Sequence, residues 1–359
     1  MAHMRRTWTA LVLLCLATSV GCSRTGMPVE PKSIAVQEIP RLIRSLPEYA
    51  HFSFSGVSFF KGRLYASTNI GLLAVAGGKA AALYQWQAED SVVEGPWSDI
   101  ANNAMWIQHG SDGSLARYDG ARWRRVELPP PPRGFYTRGD MMTGFIGISA
   151  LQDFWLVGGG NAWRWGANGD WTAEPQPPAP EWSAVRAVAP LGDTLLYIVR
   201  EGIEVTPPSS YAVYDRQRSW HRNPLKTMDF KQVVVTAEAV YVMAEDGTLF
   251  SLNAGSITLF PTPGPCEAIT RTSTAGLLAS FKNRGIYLFA HGGWEIKAPY
   301  PYDSTEGEHW AHLAENGGQV AYATSSVLQS LGAGGKWTYS GTEALWVLHG
   351  ATLQRVVFE

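Results

Sequence analysis

From residue 51 onward, apolar and polar positions alternate in short runs separated by Gly-, Asn- or Asp-containing clusters. Alternation with a repeat of two over about four to eight residues predicts β-strands with one or both faces buried. The pattern is clearest in four paired runs, Ala104–Tyr118, Phe154–Trp165, Ala239–Leu252 and Leu277–Phe289. Each reads as a hairpin, because its centre supplies residues that tolerate positive φ. No window after the N-terminal segment sustains an apolar face at helical spacing, so the expected class is all-β.

The hairpins recur in a longer period. Five tryptophans follow a tight polar or Gly-rich turn: Trp123, Trp171, Trp220, Trp294 and Trp337. Aligning the preceding segments adds two copies with Ala81 and Ile257 in the same slot. Successive slots lie 42, 48, 49, 37, 37 and 43 residues apart. A period near 40–45 residues made of short strands predicts a β-propeller with one four-stranded blade per repeat. Seven repeats fit between His51 and Ser340, and residues 343–359 add one more hairpin. Seven blades with that hairpin packed against the ring is the preferred closure. Eight blades, the last combining the hairpin with a strand over Ser33–Ile39, is the alternative. Either way the chain ends are expected to pair within one sheet, so that no strand edge is left bare.

The run from Leu115 to Trp123 resembles the propeller repeats in sensory ectodomains of bacterial two-component regulators. Val240–Asn253 is more similar to quinoprotein-type propeller repeats. These resemblances imply the fold and say little of function.

The N-terminus reads as an export signal. Arg5 and Arg6 precede an apolar run from Trp8 to Ala17, too short to span a bilayer as a helix. Thr18-Ser19-Val20-Gly21-Cys22 then resembles the lipobox of bacterial lipoproteins, although Ser19 stands where that family usually has Leu. The resemblance implies cleavage after Gly21, acylation of Cys22 and, with Ser23 following, sorting to the outer membrane. An ordinary secretory signal cut near Gly21 is the other reading. Residues 22–50 form a Pro-interrupted tether that spans about 30 Å if flexible, and 51–359 form the propeller.

Composition narrows the partners. Charged residues make up 17% of the chain, whereas Gly reaches 37 and Trp 15. Loss of Arg5 and Arg6 with the signal leaves 27 basic residues (29 less 2) against 31 acidic ones, a net charge of −4. This argues against nucleic acid. Of the three cysteines only Cys266 would remain beside the acylated Cys22. It is expected to open a strand as a small buried hydrophobe, with no internal disulfide.

Turns between first and second strands are all tight, namely 61–62, 102–103, 152–153, 192–193, 237–238, 275–276 and 317–318. Long connections run over 87–96, 129–141, 201–210, 222–230 and 299–308. In an up-and-down blade these long segments share one face, which is therefore the expected binding face. Its candidate residues are Glu89, Asp90, Glu94, Arg133, Tyr136, Arg138, Asp140, Tyr300, Tyr302, Asp303, Glu306, Glu308, His309 and Trp310. Aromatics beside carboxylates suit a sugar or a peptide.

Catalytic signatures are weak. His309 and His312 lie three apart on an expected strand, so they point to opposite faces and do not chelate one ion. Gly158-Gly159-Gly160 is a hairpin turn rather than a phosphate loop, since no helix follows it. No metal site, cofactor or catalytic residue is assigned. The leading expectation is a non-catalytic, monomeric envelope lipoprotein that binds a protein, peptide or glycan and meets the membrane only through its lipid. A secreted hydrolase or lyase acting on glycans or lactones is second, and a quinone-dependent dehydrogenase third.

Overall fold

A computed structural model describes residues 54–68, 71–76, 79–85, 94–109, 114–128, 146–149, 153–158, 161–166, 168–174, 184–191, 194–200, 210–215, 220–223, 230–253, 256–300, 309–326, 328–331, 337–340, 343–349 and 352–356. Every regular element among them is a strand. The first sheet holds β1 (Phe54–Phe60), β2 (Arg63–Thr68), β3 (Gly71–Ala76) and β4 (Lys79–Gln85). The second holds β5 (Trp97–Asp99), β6 (Ala104–His109), β7 (Ser114–Tyr118) and β8 (Trp123–Val126). The third holds β9 (Ile146–Ser149), β10 (Phe154–Gly158), β11 (Asn161–Trp165) and β12 (Trp171–Ala173). The fourth is β13 (Ala184–Leu191), β14 (Thr194–Arg200), β15 (Ser210–Asp215) and β16 (Trp220–Asn223). The fifth is β17 (Phe230–Val235), β18 (Val240–Ala244), β19 (Leu249–Asn253) and β20 (Ser256–Leu259). The sixth is β21 (Cys266–Arg271), β22 (Leu277–Phe281), β23 (Gly285–Ala290) and β24 (Gly293–Ala298).

The last sheet breaks the rule of four consecutive strands. It runs β25 (His309–Asn316), β26 (Gln319–Ser326), β29 (Glu343–His349) and β30 (Thr352–Arg355). Between them β27 (Leu328–Leu331) and β28 (Trp337–Ser340) form a separate two-stranded hairpin. This corrects the expectation from sequence. The hairpin after residue 343 is not an appendage on the ring, nor half of an extra blade with Ser33–Ile39, which lies outside the described residues. It bonds to β26 from Ala321↔Val347 to Ser325↔Glu343 and so completes the blade. Trp337 accordingly opens a strand of the excursion, not the outer strand of a blade.

The first strands of successive sheets touch in order, β1 against β5, β5 against β9 and onward, and β25 returns to β1. Antiparallel four-stranded sheets arranged this way around an axis are a β-propeller. The chain ends are expected to pair within one sheet, and the residues before 54 lie outside the described ones. Among the described residues no strand from one end adds to the sheet of the other. The seam is instead side-chain packing, with Phe54, Leu64, Ala66 and Leu73 of the first sheet against Ala314, Ala321, Ala323 and Leu345 of the last. Equivalent apolar layers separate the other blades, for example Trp106, Leu115, Phe154, Trp163, Trp165 and Trp171 between the second and third.

Local chemistry explains the short turns. Lys61-Gly62, His291-Gly292 and Gly317-Gly318 each place two successive residues at positive φ, the twist that antiparallel hairpins require. Four of the five tryptophan slots fall where the period put them, at the start of β8, β12 and β16 and second in β24. Trp171 is buried, but Trp123 and Trp294 are only half-buried. They shield the outer edges of their layers, Trp123 stacked on Tyr118 at 4.8 Å and Trp294 donating to the Pro261 carbonyl at 2.7 Å.

Candidate functional site

Strand order divides the connections between two rims. First–second and third–fourth turns share one, called here the turn rim. Among them are 61–62, 119–122, 166–170, 236–239, 272–276 and 317–318, all short. Second–third connections and links between blades share the opposite, connection rim. The described strand ends that flank 86–96, 127–145, 174–183, 201–209, 299–308 and the β27–β28 excursion all lie at this rim. β1 begins and β30 ends at this same rim.

Between the rims runs a central cavity of about 390 Å³, walled by β1, β5, β9, β17, β21 and β25. A strand facing a channel has one edge without a ladder partner, and its polar groups need other partners. Side chains from adjacent blades supply several. Ser98 Oγ donates to the Phe59 carbonyl at 2.5 Å and lies 2.6 Å from Ser58 Oγ. Ser67 Oγ donates to the Gly95 carbonyl. Ser149 Oγ accepts the Ile100 N–H at 3.3 Å, and Gln232 Oε1 accepts the Ile269 N–H at 2.7 Å. Glu315 accepts the Ser273 N–H, and His312 donates to the Phe54 carbonyl across the seam. The wall is thus laced tangentially, from blade to blade. Close approach also fixes two glycines in it. A Cβ on Gly147 would lie 2.3 Å from the Trp97 ring, and one on Gly56 would strike the Gly95 carbonyl oxygen at 2.1 Å.

At the connection-rim mouth the inner strands are irregular. Register jumps between Phe54 and Gly56, Val185 and Ala187, Phe230 and Gln232, and Cys266 and Ala268. Each β-bulge inserts one extra residue into the inner strand, namely Ser55, Arg186, Lys231 and Glu267. Bulges of this kind re-aim side chains and often border binding sites. Glu267 is largely buried and accepts the Tyr300 hydroxyl at 3.0 Å and the Tyr322 hydroxyl at 3.1 Å. Burial, and then the Glu267 charge, hold the Tyr322 hydroxyl protonated well above the ordinary phenol range, so it serves as a donor. Burial likewise pushes the Cys266 thiol far up, reinforced by Glu267. Cys266 opens β21 as a buried small apolar residue. Burial pushes His312 down to about 4, and the positive charge of Lys231 adds to the effect.

Of the residues assigned from sequence, Tyr300 is brought to this mouth with Glu267. Glu94 lies beside Gly95, and its carbonyl accepts the Gln108 N–H at 2.9 Å. His309 and Trp310 begin β25, where register places His309 opposite Ser326 and His312 opposite Ala323. Glu89, Asp90, Arg133, Tyr136, Arg138, Asp140, Tyr302, Asp303, Glu306 and Glu308 lie outside the described residues, as does Cys22. Sequence reasoning missed Gln232, Glu267 and Tyr322, and weighed His312 only as a metal ligand. Gln232, Glu267 and His312 sit on inner strands, where alternation alone does not mark a channel-facing position. Among the described residues no three His, Cys, Asp or Glu side chains are placed to hold a metal ion. No helix among them is long and apolar enough to cross a membrane.

No protein-family model matches the chain, and no curated protein does. Solved structures do. BBS1N, crystallised in complex with ARL6DN, is 14% identical over 73% of this chain and 83% of that one, with a TM-score of 0.45. The extracellular domain of a hybrid two-component system from B. thetaiotaomicron is 13% identical over 85% of this chain, with a TM-score of 0.46; the match spans only 38% of that domain. PorZ, a surface component of the type-IX secretion system of Porphyromonas gingivalis, is 13% identical over 85% of this chain and 45% of its own, with a TM-score of 0.37. At such identities the likeness concerns the fold alone.

Proposed function

We propose that this chain is a seven-bladed, lipid-anchored envelope propeller that binds a protein, peptide or glycan at its connection rim. The observation that carries this reading is the asymmetry of the two rims. The turn rim has short hairpin turns, whereas the described strand ends that flank the long connections and the β27–β28 excursion, and the bulged strand starts, lie at the other. A rigid scaffold presenting variable loops on one side is the usual arrangement of a binding domain. The blade count is supported by the seven four-stranded sheets among the described residues and the return of β25 to β1. Anchoring rests on Gly21-Cys22 behind the short apolar run.

Two experiments test it. Replacing 129–141 by a short Gly-Ser loop, and separately replacing 327–342 by a short Gly-Ser turn, should each reduce the envelope partners crosslinked by the mature chain without lowering its melting temperature by more than a few degrees. An unchanged crosslinking profile in both variants would refute the rim assignment. Metabolic labelling with a fatty-acid analogue should tag the parent and not Cys22→Ser; equal labelling of both would refute the anchor.

A further inference from the structure

On the turn rim, between the second and third blades, lies a second recess of about 340 Å³. Arg117, Arg124 and Arg125 line it together with Asn102 and Trp165, and no carboxylate does among the described residues. Arg117 is on β7 and Arg124 on β8, and register sets them directly opposite each other. Like charges in that relation destabilise a sheet unless something neutralises them.

The pair is nonetheless held in place. The Arg117 guanidinium lies 5.7 Å from the ring centres of both Trp106 and Trp165 and donates to the Asn102 carbonyl at 3.3 Å. Its Nε is buried with no hydrogen-bond partner. Two acids feel its charge, and both are committed elsewhere. Asp119 accepts the Ala121 and Arg122 N–H groups at 2.8 Å each. Asp99 accepts the Asn102 N–H at 3.0 Å and the Trp106 indole N–H at 3.2 Å. Neither Arg117 nor Arg124 forms an ion pair among the described residues.

We infer that this recess is a binding site for a phosphate monoester on a soluble ligand. Planar guanidinium forks match the oxygens of phosphate, and stacking between indoles pre-orients one of them. A phosphate monoester carries about 1.5–2 negative charges at pH 7, which suits two opposed arginines better than a single carboxylate does. The volume is within the usual range for a small-ligand pocket, about 300–1,000 Å³. A recess between blades admits one such group and its bearer, whereas a flat bilayer would not reach into it. The site is at the opposite rim from the proposed partner surface and stands or falls separately.

The test is saturable ³¹P line broadening of inorganic phosphate by the mature chain at fixed ionic strength. The parent should broaden the line, sulfate should compete, and Arg124→Gln should reduce the effect at least tenfold. Arg124 is exposed, so its replacement leaves the fold intact. In phosphate-free buffer Arg124→Gln should melt no lower than the parent, because it removes a like-charge contact; a lower melting temperature would mark Arg124 as structural and overturn the proposal. So would no broadening by the parent, or equal broadening by parent and variant. Phosphoserine should compete with inorganic phosphate. Arg124-dependent co-sedimentation with phosphatidylglycerol vesicles would overturn the assignment to a soluble ligand.

Discussion

His312 should make the propeller acid-sensitive in a defined window. Its ring is half-buried in the channel wall, donates to the Phe54 carbonyl across the seam, and is pushed down to about 4 by burial and by Lys231. In the unfolded chain a histidine titrates near 6.5. Between these values the unfolded state binds the extra proton, so stability rises with pH. The contribution is fully present above about 6.5 and is lost as pH falls toward 4. At pH 5 the ideal loss is about 2 kcal/mol, from 1.36 kcal/mol per pKa unit over one and a half units. Partial exposure of the residue screens part of this, so about 1–2 kcal/mol is expected. His312→Gln keeps an N–H for the Phe54 carbonyl and cannot titrate. Urea unfolding of parent and variant at pH 7.5 and pH 5 isolates the effect, because all other groups are common to both. The parent should lose about 1–2 kcal/mol more than the variant. Parallel losses in the two proteins would refute the reasoning.

Three further outcomes follow from packing. Leu345→Ala, fully buried at the seam, should cost about 2–5 kcal/mol; with an unfolding entropy of about 2.1 cal/mol/K per residue this lowers the melting temperature by roughly 3–8 °C in calorimetry. Gly147→Ala drives a methyl into the Trp97 ring and should cost about 1–3 kcal/mol by chemical denaturation, and Trp97→Ala in the same chain should recover part of it. Cys266 should resist thiol reagents at pH 8 in the folded chain and react promptly in denaturant, since burial keeps it protonated; rapid labelling of the native protein would contradict its place at the start of β21.

Blade chemistry is local, and so it was legible. Alternation, the turn residues and the tryptophan slots each depend on neighbours within a hairpin, and they located the strands of the first six sheets. The last sheet was not legible for the same reason. Leu328–Leu331 and Trp337–Ser340 carry the signature of a blade's outer half, Trp337 included, but which hairpin bonds to the free edge of β26 is decided by packing far along the chain. Leu345 fits the seam beside Ala323 and Ala314, and nothing near it in sequence says so. The channel residues were hidden differently. Gln232 and Glu267 owe their surroundings to bulges, which shift a residue's role without changing the pattern of apolar and polar letters. The arginine recess was masked by averaging, because a net charge of −2 conceals two cations set face to face by a hairpin.

The way the wheel is closed has a topological consequence. Because among the described residues the ends share no strand and meet the same rim, the first blade is first only by numbering. A linker from residue 356 back to 54, with new termini opened at Lys61-Gly62 or Gly317-Gly318, would preserve every interblade layer. Circular permutants of this kind should fold, whereas a propeller latched by a shared sheet would lose its clasp.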